Sequence, residues 1–346
     1  MGGGARRYEW IDLLRGIAVV GMIWTHAANT FLEASIQATR GYHELSFYHG
    51  LVSPVFFWVA GYMRGLAAAK PGPCKPAWPT VRRLLMILGT GYLLHVPWLA
   101  LMHGDFSAPV LRILFQSDVL HCLALSCLVL LALERGVARD LLPWLAAALG
   151  LVVVLVTPAL ASATSGFIPL DAFLAKSHGS LFPLFPWLGF ACAGFVVGCT
   201  GMVSWRLAGV SAVAAFGLPW LPGASSTFTF FFERLGWVTM SAVLVMKGCS
   251  LLLRRGVGLP RWLLLAGRES LCVYVVHLIF IYSVPWWRGT ALNYLIGATQ
   301  PPGMVAVIFV GLLLASLGVA WGNERRKQRR FQPSPSSSTW PSSRPR

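Results

Sequence analysis

The sequence predicts an all-α membrane protein, a polytopic bundle of about ten transmembrane helices with both termini in the cytoplasm. Three observations predict it. Hydrophobic residues make up 56% of the 346-residue chain and charged residues only 12%, with a mean hydropathy of +0.65, whereas soluble domains carry about 25% charge. Apolar runs near the roughly 20 residues needed to cross a bilayer recur along the chain. The basic residues, finally, gather on one set of connecting loops.

In order, the runs fall near 13–32, 50–69, 84–102, 117–133, 141–160, 183–203, 205–222, 230–252, 263–285 and 303–322. With these spans, Arg6, Arg7, Arg64, Lys70, Lys75, Arg82, Arg83, Arg135, Arg139, Arg206, Arg254, Arg255, Arg261 and the stretch Arg325 to Arg330 share one side, which the positive-inside rule makes cytoplasmic. Arg40, Arg112, Lys176, Arg234 and Arg288 are left for the other face. The net charge of +16 is thus a topology signal plus attraction to anionic headgroups, and gives no support to nucleic-acid binding. Asp12 and Arg15 interrupt the apolar part of a would-be signal peptide, so the first run is expected to stay as a span. Residues 1–322 form the membrane domain, and 323–346, basic and then rich in Ser and Pro, are expected to be a disordered cytoplasmic tail. The seven cysteines lack paired metal-ligand spacing and are assigned to packing, with no metal expected.

Polar residues inside the runs carry the functional argument, because ionisable groups in a membrane helix are costly. Eleven residues at about 100° each return a helix to within about 20° of its starting face, so Asp12, Arg15 and His26 share one stripe that should face protein. His43, Glu44 and His49 lie in a loop just before the second span, near the outer mouth of that stripe, where interfacial solvation explains them equally well. Arg82 and Arg83 open the third span, as topology anchors or, with Arg15, as a cationic mouth for a phosphorylated ligand. Asp118 and His121 stand at i and i+3, where a carboxylate could orient an imidazole. His277 falls seven residues after Ser270, on nearly the same face, as a buried structural histidine or a site residue. No Gly-x-Ser-x-Gly elbow or zinc-protease motif is present, which removes support for soluble-hydrolase chemistry.

Taken together, Asp12-Leu13-Leu14-Arg15-Gly16 with His26, Ser53-Pro54-Val55-Phe56-Phe57-Trp58-Val59-Ala60-Gly61-Tyr62, Arg82-Arg83, Phe185-Pro186-Trp187-Leu188-Gly189, and Gly267-Arg268-Glu269-Ser270-Leu271 through Tyr274 and His277 resemble the transmembrane acyltransferase superfamily. Within it the chain resembles bacterial proteins related to the catalytic domain of heparan-alpha-glucosaminide N-acetyltransferase, with the acyltransferase type 3 family as a near neighbour. The resemblance implies a multi-pass protein of the bacterial cytoplasmic (inner) membrane. It would transfer an acetyl or other acyl group from cytosolic acyl-CoA to a hydroxyl or amine of a glycan, lipid-linked or other envelope acceptor.

The residue pattern agrees with that implication. Arg15 and His26 are separated by about 16 Å along a helix at 1.5 Å per residue, a distance a long, narrow pantetheine arm can bridge. Phosphates would stay by Arg15, Arg82 and Arg83, while His26 takes a proton from the acceptor or carries the acyl group transiently. Type 3 relatives are expected to use the histidine eleven residues beyond the arginine, whereas in the heparan-type branch an asparagine can hold that position and a later histidine acts. His26 is therefore placed first and His43 second, with Glu44 orienting it and with Asp12, Ser53, Asp118, His121 and His277 as substrate-binding or orienting residues. The alternative from another class is a secondary transporter or flippase using the same intramembrane Arg and His.

Overall fold

A computed structural model describes residues 8–73, 76–220, 226–282 and 291–331. Arg6, Arg7, Cys74, Lys75, Arg288 and the last fifteen or so residues of the expected tail lie outside them. The principal helices are α1 (Glu9–Phe31), α2 (Arg40–His49), α3 (Val52–Ala68), α4 (Trp78–His95), α5 (Val119–Gly136), α6 (Leu142–Leu160), α7 (Leu184–Thr200), α8 (Trp205–Gly217), α9 (Ser226–Arg254), α10 (Arg261–Arg268), α11 (Ser270–Tyr282) and α12 (Pro302–Phe331). Among the described residues the remaining regular structure is short helical turns and one isolated bridge, Leu32 with Gln300.

Among the described residues six stretches are long and apolar enough to cross a membrane: α1; α2 and α3 together as Arg40–Ala68; α5; α6; α9; and Pro302–Arg329 of α12. The pair α10 and α11 qualifies as a seventh only if taken together across a bend of 85°. The all-helical, membrane-spanning class is therefore shown, but a count of ten spans is not reached. Three expected spans account for most of the difference. α4, at 18 residues, is as long as α5, but its first turns hold Pro79, Arg82 and Arg83 and so dilute its apolar character, and Val96, at ψ 121° immediately before Pro97, ends it at His95 inside the expected span. α7 is 17 residues long and ends where Gly201 takes a positive φ of 65°. α8 has only 13 residues. Hydropathy continues through these stops, so counting apolar residues overestimates helix length.

Two further expectations change. The segment 42–49, expected as loop, is helical, and Thr39 caps it by accepting the Tyr42 N–H at 3.4 Å. The expected tail begins as helix, since α12 runs through Asn323 to Phe331. Polar contacts hold it there: Lys327 donates to Glu269 at 2.6 and 2.8 Å, Asn323 donates to Glu269 at 2.7 Å, and Arg268 pairs with Glu324 at 2.7 Å.

Of the glycine-mediated crossings, two set the helices that carry the site. Where α3 meets α7, a Cβ on Gly61 would lie 1.9 Å from the Ala191 carbonyl oxygen and one on Gly194 1.9 Å from that of Trp58. Gly65 and Gly198 repeat the contact one turn on, at 2.2 Å from the Phe195 oxygen and 2.3 Å from the Tyr62 oxygen. Small residues four apart on both helices let the backbones touch, the usual way membrane helices gain close packing without a hydrophobic driving force. At the second crossing, α10 lies on α1, with a Cβ on Gly267 only 1.8 Å from the Asp12 oxygen and one on Gly16 2.1 Å from the Leu263 oxygen.

Candidate active site

The α1–α10 crossing builds one end of the site. Because α10 is pressed against α1 and the chain then bends by 85° into α11, Ser270 is delivered beside Arg15, whose guanidinium donates to the Ser270 hydroxyl. Both residues line a cavity of about 1330 Å³. Arg64, ion-paired with Glu134, and Arg83 line it as well, and Arg83 forms no ion pair among the described residues. The charged lining is strongly one-sided: Arg15, Arg64, Arg83, Lys176 and Arg234 are opposed by Asp118 alone.

His26 lines the same cavity, three helical turns from Arg15 on α1. Its Nδ1 lies 3.3 Å from the Tyr282 hydroxyl, which lies 2.9 Å from the Thr30 Oγ1. A consistent assignment has His26 Nδ1–H donating to Tyr282 and Tyr282 donating to Thr30, which leaves the His26 Nε2 lone pair available. The His277 ring centre is 5.1 Å from that of His26, and His277 Nδ1 donates to the Val273 carbonyl at 2.8 Å. His277 is fully buried and does not line the cavity.

Asp118 and His121 are brought together, and the contact is a helix cap. Asp118 is the N-cap of α5 in a capping box with His121, whose Nδ1 accepts the Asp118 backbone N–H at 3.1 Å. The Asp118 carboxylate also accepts the Tyr274 hydroxyl at 2.6 Å and faces His95 at 3.9 Å. Asp118→Ala would remove the cap, worth about 1 kcal/mol, and leave the buried Tyr274 hydroxyl without its acceptor, a further ~1–3 kcal/mol. A drop of several degrees in melting temperature is expected in detergent, with a smaller drop for Asp118→Asn, which still accepts a hydrogen bond.

The other predicted residues are scattered. Ser53 lines the cavity. Asp12 is buried and does not line it. Arg82 is exposed and is not part of the lining that Arg83 joins. His43 and Glu44 are exposed on α2, and Glu44 accepts from Arg40 at 3.0 Å. Tyr282, Asn29, Arg64 and Arg234 enter the site without having been singled out for it. No local pattern marks them, because each gains its meaning from a different helix. Among the described residues no group of three or more His, Cys, Asp or Glu side chains is placed to hold a metal ion.

Residues 7–216 match the family model of the heparan-alpha-glucosaminide N-acetyltransferase catalytic domain. The chain belongs to this family. Membership makes it an acetyltransferase-type protein, and its apolar helices make it an integral membrane one. The match covers α1 to α8 and so includes Arg15, His26, Arg83 and Asp118, but ends before Arg234, Ser270, Tyr274 and His277. No curated protein matches the chain.

Proposed function

We propose that the protein moves an acetyl or other acyl group from cytosolic acyl-CoA to a hydroxyl or amine of a glycan or other envelope acceptor, with His26 as the base. The observation that carries the reading is the single cavity lined both by the Arg15, Arg64 and Arg83 guanidinium groups and by the His26 imidazole. Guanidinium forks suit the phosphates of the donor, and the pantetheine arm spans the interval along α1 to bring the thioester near His26.

In the transfer step, His26 Nε2 accepts the proton of the acceptor hydroxyl or amine as that group attacks the thioester carbonyl. Collapse of the tetrahedral adduct breaks the C–S bond, and the leaving thiolate takes the proton back from the imidazolium. Tyr282 and Thr30 hold the ring so that the proton arrives at Nε2 and the Nδ1–H stays in place.

Transfer of radiolabel from acetyl-CoA to an envelope glycan extract by purified protein in nanodiscs tests the reading. Label in product supports it, and its absence across several acyl-CoAs would sink it. Arg83→Gln is expected to raise the KM for acyl-CoA roughly tenfold with kcat little changed, since the phosphate contact is equally present in ground and transition states. A fall in kcat with unchanged KM would remove Arg83 from the donor site.

A further inference from the structure

Resting on the transferase reading, the geometry points to a second anion site in the same cavity: Arg234, aided by Lys176 and His49, receives a phosphate or carboxylate carried by the acyl acceptor. Arg234 lines the cavity with its side chain only 17% exposed. Its guanidinium lies between two aromatic faces, 4.2 Å from the Phe230 centroid and 5.1 Å from that of Phe47, which hold a planar cation without occupying its N–H groups. The nearest carboxylate is Glu233, at 3.9 Å and outside hydrogen-bond distance. Among the described residues no acceptor meets any of its donors, and Nε is fully buried.

His49 repeats the pattern. It lines the cavity, both ring nitrogens are buried, and neither has a partner among the described residues. An imidazole always carries at least one N–H, so a second donor here lacks an acceptor. Buried donors are almost always satisfied in folded proteins, and the Glu233 carboxylate at 3.9 Å offsets the Arg234 charge without accepting a hydrogen bond from it. An oxyanion on the acceptor supplies what both lack. Gly50 keeps the approach open, since a Cβ there would sit 3.3 Å from an Arg234 terminal nitrogen. Lys176, exposed and lining the cavity, adds positive charge.

Position assigns this site to the acceptor rather than the donor. Arg234 packs on Phe47 and Gly50 at the end of α2, and α2 is tied to α1 where Tyr42 donates to Asn29 at 2.5 Å. Asn29 lies one turn beyond His26, whereas Arg15 lies three turns back in the other direction. A charge held at Arg234 thus belongs to a molecule approaching His26 from the side opposite the donor phosphates.

The test compares acetyl-CoA-dependent acetylation of glucosamine, glucosamine 6-phosphate and the corresponding 6-carboxylate by wild type, Arg234→Gln and Arg234→Lys in nanodiscs. Wild type should favour a charged acceptor over the neutral sugar by roughly 10- to 100-fold in kcat/KM. Arg234→Gln should lose that preference with the KM for acetyl-CoA unchanged, and Arg234→Lys should retain part of it. Which charged sugar is preferred identifies phosphate or carboxylate as the anion. Equal use of all three by wild type, or an equal loss on all three in Arg234→Gln, would overturn the proposal.

A binding measurement stands apart from turnover. Inorganic phosphate should raise the melting temperature of Arg83→Gln, in which the donor end is weakened, more than that of the Arg83→Gln/Arg234→Gln double variant. If no acceptor is acetylated, the transferase reading fails while this comparison still decides the anion site, and equal shifts would remove it.

Discussion

His26→Ala is expected to lower acyl transfer by a factor of about 10²–10⁴ while leaving the yield of folded protein unchanged. The half-buried side chain lines the cavity, so its removal enlarges an existing space, at the cost of its ring contact with His277 and its hydrogen bond to Tyr282. What disappears is the one imidazole that joins the Arg15 and Arg83 cavity to the Tyr282–Thr30 hydrogen-bond chain. Acidification should slow the wild type by protonating the Nε2 lone pair, and the residual rate of His26→Ala should lack that acid limb. Rates from His43→Ala and His49→Ala, measured beside it, locate the chemistry: full transfer by His26→Ala with loss in one of the others would move the base to that residue. His277→Ala serves a different purpose. His277 is fully buried with its Nδ1 bonded to Val273, so its truncation should lower the melting temperature as well as the rate.

The second large effect is on folding. Gly194→Val should abolish recovery of folded protein from detergent extracts, or lower its melting temperature far beyond the effect of an ordinary surface change. A Cβ at this position would sit 1.9 Å from the Trp58 carbonyl oxygen and 2.7 Å from its carbonyl carbon, both backbone atoms that no rotamer change can move. Overpacking of a close-packed contact typically costs about 1–3 kcal/mol and more when backbones must separate. Here α3 and α7 would have to part along a contact that Gly61, Gly65 and Gly198 share. Because α3 also carries Ser53 and Arg64 into the cavity, the site would be lost with the crossing. Gly248→Val on α9 is the control, since nothing lies within 4 Å of a Cβ there; equal melting temperatures for the two variants would refute the packing argument.

The helical membrane class follows from composition, because 56% hydrophobic and 12% charged residues cannot be hidden in a water-soluble core of this size. The Asp12, Arg15 and His26 stripe also follows from local geometry. Helical periodicity puts Arg15 and His26 on one face, and both line the cavity, while Asp12 does not join them there. Span number was less legible, since Pro97 and Gly201 stop helices inside stretches that hydropathy alone would continue. The sequence 42–49 was similarly misleading: its mixture of Tyr, His, Glu and Ser has no apolar run, yet a Thr39 cap and packing against α1 make it helical.

The pairing of residues distant along the chain belongs to tertiary structure. Arg15 meets Ser270 because Gly16 and Gly267 let two backbones touch and the chain bends at Glu269. Asp118 became a cap and an acceptor for Tyr274 because α5 starts where α11 passes. Arg234 acquired two aromatic neighbours and no acceptor among the described residues. The sequence determined which groups are buried in the membrane, because residue hydrophobicity and helical period act locally. The tertiary structure decided which of those groups face one another, because that depends on where small residues allow helices to approach.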